Sequence, residues 1–175
     1  MNLKTRNTVR NLTTSGVCLA LCLVLPFLTG QIREIGNMLC PMHIPVLLAG
    51  FVCGPWWGLA VGFIAPLLRH LIFTMPKMPS ALGMAFELAA YGCIVGVLYR
   101  LLRGSIRGIY ASLLAAMVGG RLVWGCAMAL LLGIGDFTWK AFLAGAVLNA
   151  VPGIVLQIVL IPLIVLALRR AKLME

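Results

Sequence analysis

Glu87, Arg121 and Asn149, side chains able to ionise or to hydrogen-bond strongly, stand inside otherwise apolar runs. A charged group at the centre of a hydrocarbon layer costs a few kcal/mol, so each must face a protein interior, find a partner or serve a site. Glu87 lies about seven residues into its run, Arg121 about midway and Asn149 about nine residues in, which brings all three into the same half of a helical bundle. Tyr91, one turn beyond Glu87, and Trp124, three residues after Arg121, share those faces. A carboxylate, a guanidinium and a carboxamide converging between aromatic rings is the layout of a small-molecule site. Arg121 suits a carboxylate or phosphate, Glu87 an amine or hydroxyl, and the rings a flat or apolar body. The same two charges also fit an ion pair that merely holds two helices together, and Asn37 and His43 are then the next candidates.

Other chemistry is poorly supplied. The chain has neither His-Glu-x-x-His nor Gly-x-Ser-x-Gly, no phosphate-cradling Gly-rich loop, and a single aspartate, Asp136. An enzyme is therefore not expected, and ATP hydrolysis would have to come from separate chains. His43 and His70 fall near the outer ends of their runs and not at a matched interior depth, so they are not expected to ligate haem. The six cysteines form no Cys-x-x-Cys pair, and five of them lie in apolar runs where a thiol packs as a small hydrophobe. No metal and no cofactor are expected.

The elements that must position these groups are membrane spans. Residues 42 to 74 carry only His43, Arg69 and His70 as ionisable groups and are broken by Gly54-Pro55-Trp56-Trp57-Gly58. An unbroken helix of that length would reach roughly 50 Å, against about 30 Å of hydrocarbon, so the break is read as a tight turn between two short spans. Further apolar runs at about 13 to 30, 81 to 99, 109 to 133 and 141 to 168 bring the total to six. The prediction is an all-α polytopic membrane protein, six transmembrane helices in a compact bundle, forming one domain over residues 1 to 175. With the N-terminus inside, Lys4, Arg6, Arg10, Arg100, Arg103, Arg107, Arg169, Arg170 and Lys172 all lie on the cytoplasmic side, nine of the 14 basic residues. Five spans would put the 100 to 107 loop and the C-terminal tail outside, against that rule.

Composition agrees: 62% of residues are hydrophobic, mean hydropathy is +1.08 and only four side chains are acidic. The net charge of +10 gathers at helix ends, where it sets orientation and meets anionic lipid, so nucleic acid is not an expected partner. The basic N-terminus and the apolar run after it lack a small-x-small cleavage site and are read as an uncleaved first span. Glycine is dense, at 19 residues. Helices in lipid associate through close approach of small residues, so Gly54, Gly58 and Gly62 are expected to pack within the bundle. Gly16 and Ala20 give the first span a similar small face, which would pack either internally or on a partner. The loops at 29 to 43, with Arg33, Glu34 and Asn37, and at 74 to 80 lie outside and are placed to cap a site.

Taken together, the six short spans, the basic N-terminus, Gly16-Val17-Cys18-Leu19-Ala20-Leu21, and the run from Pro45 to Gly58 through Ala49-Gly50 and Gly54-Pro55 resemble the substrate-binding S components of energy-coupling factor (ECF) transporters, which import vitamins and related micronutrients in prokaryotes. The resemblance implies a multi-pass subunit of the prokaryotic cell membrane with cytoplasmic termini. Its implied partners are a vitamin-like substrate, a transmembrane coupling subunit and two ATPase subunits. It also implies substrate entry from outside, between the first loop and the outer halves of spans four to six, which matches the site read from the residues themselves, with Glu87, Tyr91, Arg121, Trp124, Asn149 and Asn37 as its expected contacts. The family's Ala-x-x-x-Ala contact with the coupling subunit maps onto Gly16 and Ala20, a departure that keeps the face small.

The alternative is a stand-alone carrier or channel driven by an ion gradient. Residues 1 to 88 and 89 to 175 show no convincing similarity of the inverted-repeat kind that such carriers carry. Pyridoxine-type compounds, pantothenate and riboflavin all match the polar inventory. The charge pattern makes a topological prediction. Single cysteines placed at Glu34 and Ser105, on a background without the native six, should label with an impermeant reagent from outside intact cells at position 34 only. Labelling at 105 and not at 34 would contradict six spans.

Overall fold

The computed structural model describes residues 3–29, 39–102, 105–133, 151–171 and 174. Among the described residues six α-helices follow one another: α1 (Leu3–Val24, continued by a 3₁₀ turn Leu25–Thr29), α2 (His43–Cys53), α3 (Pro55–Phe73), α4 (Ser80–Leu101), α5 (Ile106–Leu132) and α6 (Val151–Arg170). Five are long and apolar enough to cross a membrane, and α2, at 11 residues, is not. At about 1.5 Å per residue α2 covers only roughly half of a hydrocarbon core. The expected second span is thus a short helix buried among its neighbours, with nine of its residues inside the protein. Non-helical backbone at its ends is tolerable because protein, and not lipid, surrounds it.

The turn read at Gly54-Pro55 is present. Gly54 closes α2 at φ 98°, a conformation that favours glycine, and Pro55 opens α3 at a position where its missing N–H costs nothing. α3 then folds back along α2. A methyl group placed on Gly58 would sit 2.7 Å from the Gly50 Cα and 2.7 Å from the Gly92 carbonyl oxygen. Along α3 and α4 the contacts repeat every four residues with antiparallel register: Gly54 and Pro55 against Gly96, Gly58 against Gly92, and Gly62 against the Leu88 carbonyl. This is the small-residue packing expected for the stripe, and it draws α2, α3 and α4 into backbone contact.

Two arginines close helix ends. Arg69 of α3 is buried, donates from Nη1 to the Leu23 carbonyl at 2.7 Å, and lies over the rings of Phe27 and Phe73 at 5.4 and 5.3 Å. Arg100 of α4 donates from Nη2 to the Cys53 carbonyl at 3.3 Å. Each places positive charge at the carbonyl end of a helix, where the last C=O groups lack partners and the helix dipole is negative. The outward faces of α1, α5 and α6 are apolar, with Leu12, Val17, Leu122, Leu130, Val159 and Leu163 exposed as lipid-facing side chains would be.

Gly16 and Ala20 also face outward, and a methyl on Gly16 would meet nothing within 4 Å among the described residues. Internal packing of that face is therefore absent among the described residues. A contrast follows: Gly92→Ala should lower stability by about 1 to 3 kcal/mol through overpacking, while Gly16→Ala should change it by less than about 0.5 kcal/mol. Thermal unfolding of the purified protein in detergent measures both. Similar losses would mean that the α1 face is packed inside the molecule.

Candidate functional site

Glu87 sits about two turns into α4 and is 2% exposed. Its Oε1 accepts from Arg121 Nη1 at 2.9 Å and lies 3.5 Å from His43 Nε2. His43 is the first residue of α2 and is equally buried. Its ring meets that of Tyr91 edge-on, with centroids 5.1 Å apart. Tyr91 is 1% exposed and donates its hydroxyl to the Met117 carbonyl of α5 at 3.5 Å. Arg121 Nη2 reaches the Cys40 sulfur at 3.9 Å. Four chain segments thus converge: the approach to α2, the start of α2, the N-terminal part of α4 and the middle of α5.

Local sequence explains the convergence. Gly120, next to Arg121, lies against the Tyr91 ring, where a methyl would come within 2.8 Å of Tyr91 Cδ2 and 3.2 Å of the Glu87 carbonyl. Only a glycine lets α5 approach α4 closely enough for Arg121 to reach Glu87. One turn further out, Gly83 of α4 makes room for Met128 and for Trp124, whose Cδ1 would stand 3.4 Å from a methyl on Gly83. The segment Leu39 to Met42 covers the cluster from the end of the first loop, and the Met42 carbonyl receives the Cys22 thiol of α1 at 3.6 Å.

Of the residues expected from the sequence, Glu87, Tyr91 and Arg121 come together, and Trp124 lies beside them toward Gly83 and the start of α4. Asn37 and Asn149 lie outside the described residues. His43 and Cys40 belong to the cluster and were underrated by the sequence. A histidine at the end of a span is expected near water, but α2 is so short that its first residue begins at the depth of Glu87.

The electrostatics are those of a buried, nearly neutral cluster. Glu87 and Arg121 compensate one another. Among the described residues two nitrogens of the cluster stay without partners, His43 Nδ1 and Arg121 Nε, although both are buried. A buried polar atom without a hydrogen bond costs about 1 to 3 kcal/mol, and Ser15 Oγ and Ser112 Oγ, outside the cluster, are in the same state. Among the described residues no group of three metal-binding side chains occurs.

Comparison with known proteins adds one finding. A family model, ECF transporter, substrate-specific component, matches residues 10–165. No curated protein and no solved structure matches the chain.

The buried pair makes a thermodynamic prediction. Arg121→Met or Glu87→Gln alone leaves a desolvated partner and should lower stability by about 3 to 5 kcal/mol, whereas the double variant should recover most of that loss. A double-mutant cycle of thermal unfolding in detergent decides it. Additive losses would mean that the two charges are not coupled.

Proposed function

Because the chain belongs to the substrate-specific components of ECF transporters, which are multi-pass substrate-binding subunits and not enzymes, we propose that it captures a small vitamin or related micronutrient from outside the cell. It passes that substrate on through a transmembrane coupling subunit and two ATPase subunits, with both termini in the cytoplasm. The observation that carries this reading is the cluster of His43, Glu87, Tyr91 and Arg121. A lipid-bathed bundle with four acidic residues in all has placed one of them, with a guanidinium, beside residues 39–42, the short approach to α2.

In this reading Arg121 and Glu87 fix the polar part of the substrate. Tyr91 and Trp124 form the wall against its flat or apolar part, and Asn37 and Asn149 complete the contacts. The outward face of α1 at Gly16 and Ala20 serves the coupling subunit. Small residues at this spacing allow two helix backbones to approach closely in lipid, where van der Waals packing and not the hydrophobic effect drives association. The two functions are separated in space, so they can be tested independently.

Replacing Gly16 and Ala20 together by Leu should abolish both co-purification with the coupling subunit and cellular uptake. The melting temperature of the isolated protein, and its affinity for a substrate identified by mass spectrometry of the purified sample, should remain within experimental error. Uptake that survives these substitutions, or transport by the purified chain in liposomes under an ion gradient alone, would favour a stand-alone carrier.

A further inference from the structure

The orientation of one side chain narrows the substrate class beyond the reading above, on which this inference rests. A guanidinium has five N–H donors, and those on Nε and Nη2 run parallel along one edge, matching the two oxygens of a planar carboxylate. In Arg121 the opposite nitrogen, Nη1, is held by Glu87 at 2.9 Å, which fixes the plane of the group. Along the remaining edge Nε has no acceptor among the described residues and is closed off from solvent. Nη2 reaches the thiol sulfur of Cys40, at 3.9 Å, and the guanidinium also lies beside the Tyr91 hydroxyl. Sulfur is a weak acceptor, so a strong two-point donor edge is covered by a group that scarcely uses it.

The covering residue is itself in an unusual state. Cys40 adopts φ 47°, a left-handed conformation uncommon for residues other than glycine. Strain of this kind persists only where the surroundings enforce it, and it gathers at ligand clamps and switch regions. Cys40 stands in the short approach to α2, where its carbonyl accepts from the backbone N–H of His43 at 3.0 Å. A shift of Cys40 away from Arg121 would therefore be felt at once by the histidine that lies against Glu87.

The geometry points to Arg121 as the receptor for a substrate carboxylate, bound two-point through Nε and Nη2 after displacement of the Cys40 sulfur, with Glu87 acting as the positioning residue that aims the guanidinium. The substrate class is then a small acid with a carboxylate at one end and a body that fits between Tyr91 and Trp124. One guanidinium serving two carboxylates, one on Nη1 and one on the far edge, stays within its donor capacity.

Matched acid and neutral probes test the assignment: pantothenate against panthenol, nicotinate against nicotinamide, and biotin against biotin amide. Each is titrated calorimetrically into the purified protein in detergent. At least one acid should bind, and bind roughly tenfold to a hundredfold more tightly than its neutral partner. Arg121→Lys keeps the charge and a contact to Glu87 but offers no planar edge. It should weaken that acid by a similar factor and remove the preference for it over the neutral probe. Cys40→Ala uncovers the edge without altering any charge and should tighten acid binding several-fold, which keeps the test decisive should the lysine variant unfold. A neutral probe binding as tightly as its acid, or acid affinity unchanged in either variant, overturns the proposal while leaving a substrate-binding subunit in place. Failure of every acid to bind also overturns it, and the docking and uptake measurements on the α1 variant then judge the broader reading separately.

Discussion

Two opposite charges 2.9 Å apart, in a bundle surrounded by hydrocarbon, set the terms for the rest of this molecule. Neither Glu87 nor Arg121 is readily left alone at that depth, since an unpaired buried charge costs about 3 to 5 kcal/mol, a large part of a domain's stability. The pair therefore dictates how closely α4 and α5 approach, and Gly120 is the residue that permits it. It also dictates what lies around it. His43 and Tyr91 enclose the carboxylate, and the approach to α2 closes over the guanidinium. Among the described residues Arg121 Nε finds no acceptor and His43 Nδ1 no partner.

The glycine contacts between α2, α3 and α4 supply the frame that holds this pair. Backbone-to-backbone packing at Gly50, Gly58 and Gly92 leaves little freedom for sliding or rotation, so the outward turns of α4 that carry Glu87 are fixed in direction. The same frame lets α2 be short. With its flanks covered by α1, α3, α4 and α6, α2 has no need to reach across the bilayer. Its N-terminal histidine can then lie level with a residue two turns inside α4. Arg69 and Arg100 follow the rule that governs Glu87 and Arg121, by which a charge inside such a bundle finds a defined acceptor, here the carbonyl end of a neighbouring helix.

Much of this was legible in the sequence because membrane burial leaves few choices. The Gly54-Pro55 break could only be a turn once an unbroken helix proved far too long, and the fourfold spacing of Gly54, Gly58 and Gly62 marked a packing face. Glu87 and Arg121 stood out because charges are so scarce. What the sequence did not disclose is depth. A run of apolar residues from His43 to Cys53 looks the same whether it spans the membrane or stops halfway, since hydropathy records what a segment avoids and not what covers it. That ambiguity hid His43 and Cys40, whose importance follows from α2 beginning well inside the bundle. The outward direction of Gly16 was equally invisible, because a small-residue stripe carries no mark of which neighbour it serves.

The most direct test of a substrate site at the Glu87 and Arg121 pair is an experimental density map of the protein with its physiological substrate bound. The substrate should lie in contact with Arg121 and against Tyr91, with the chain around Cys40 shifted away from the guanidinium. A substrate seated elsewhere, with Glu87, Arg121 and Cys40 arranged as they are here, would contradict the account.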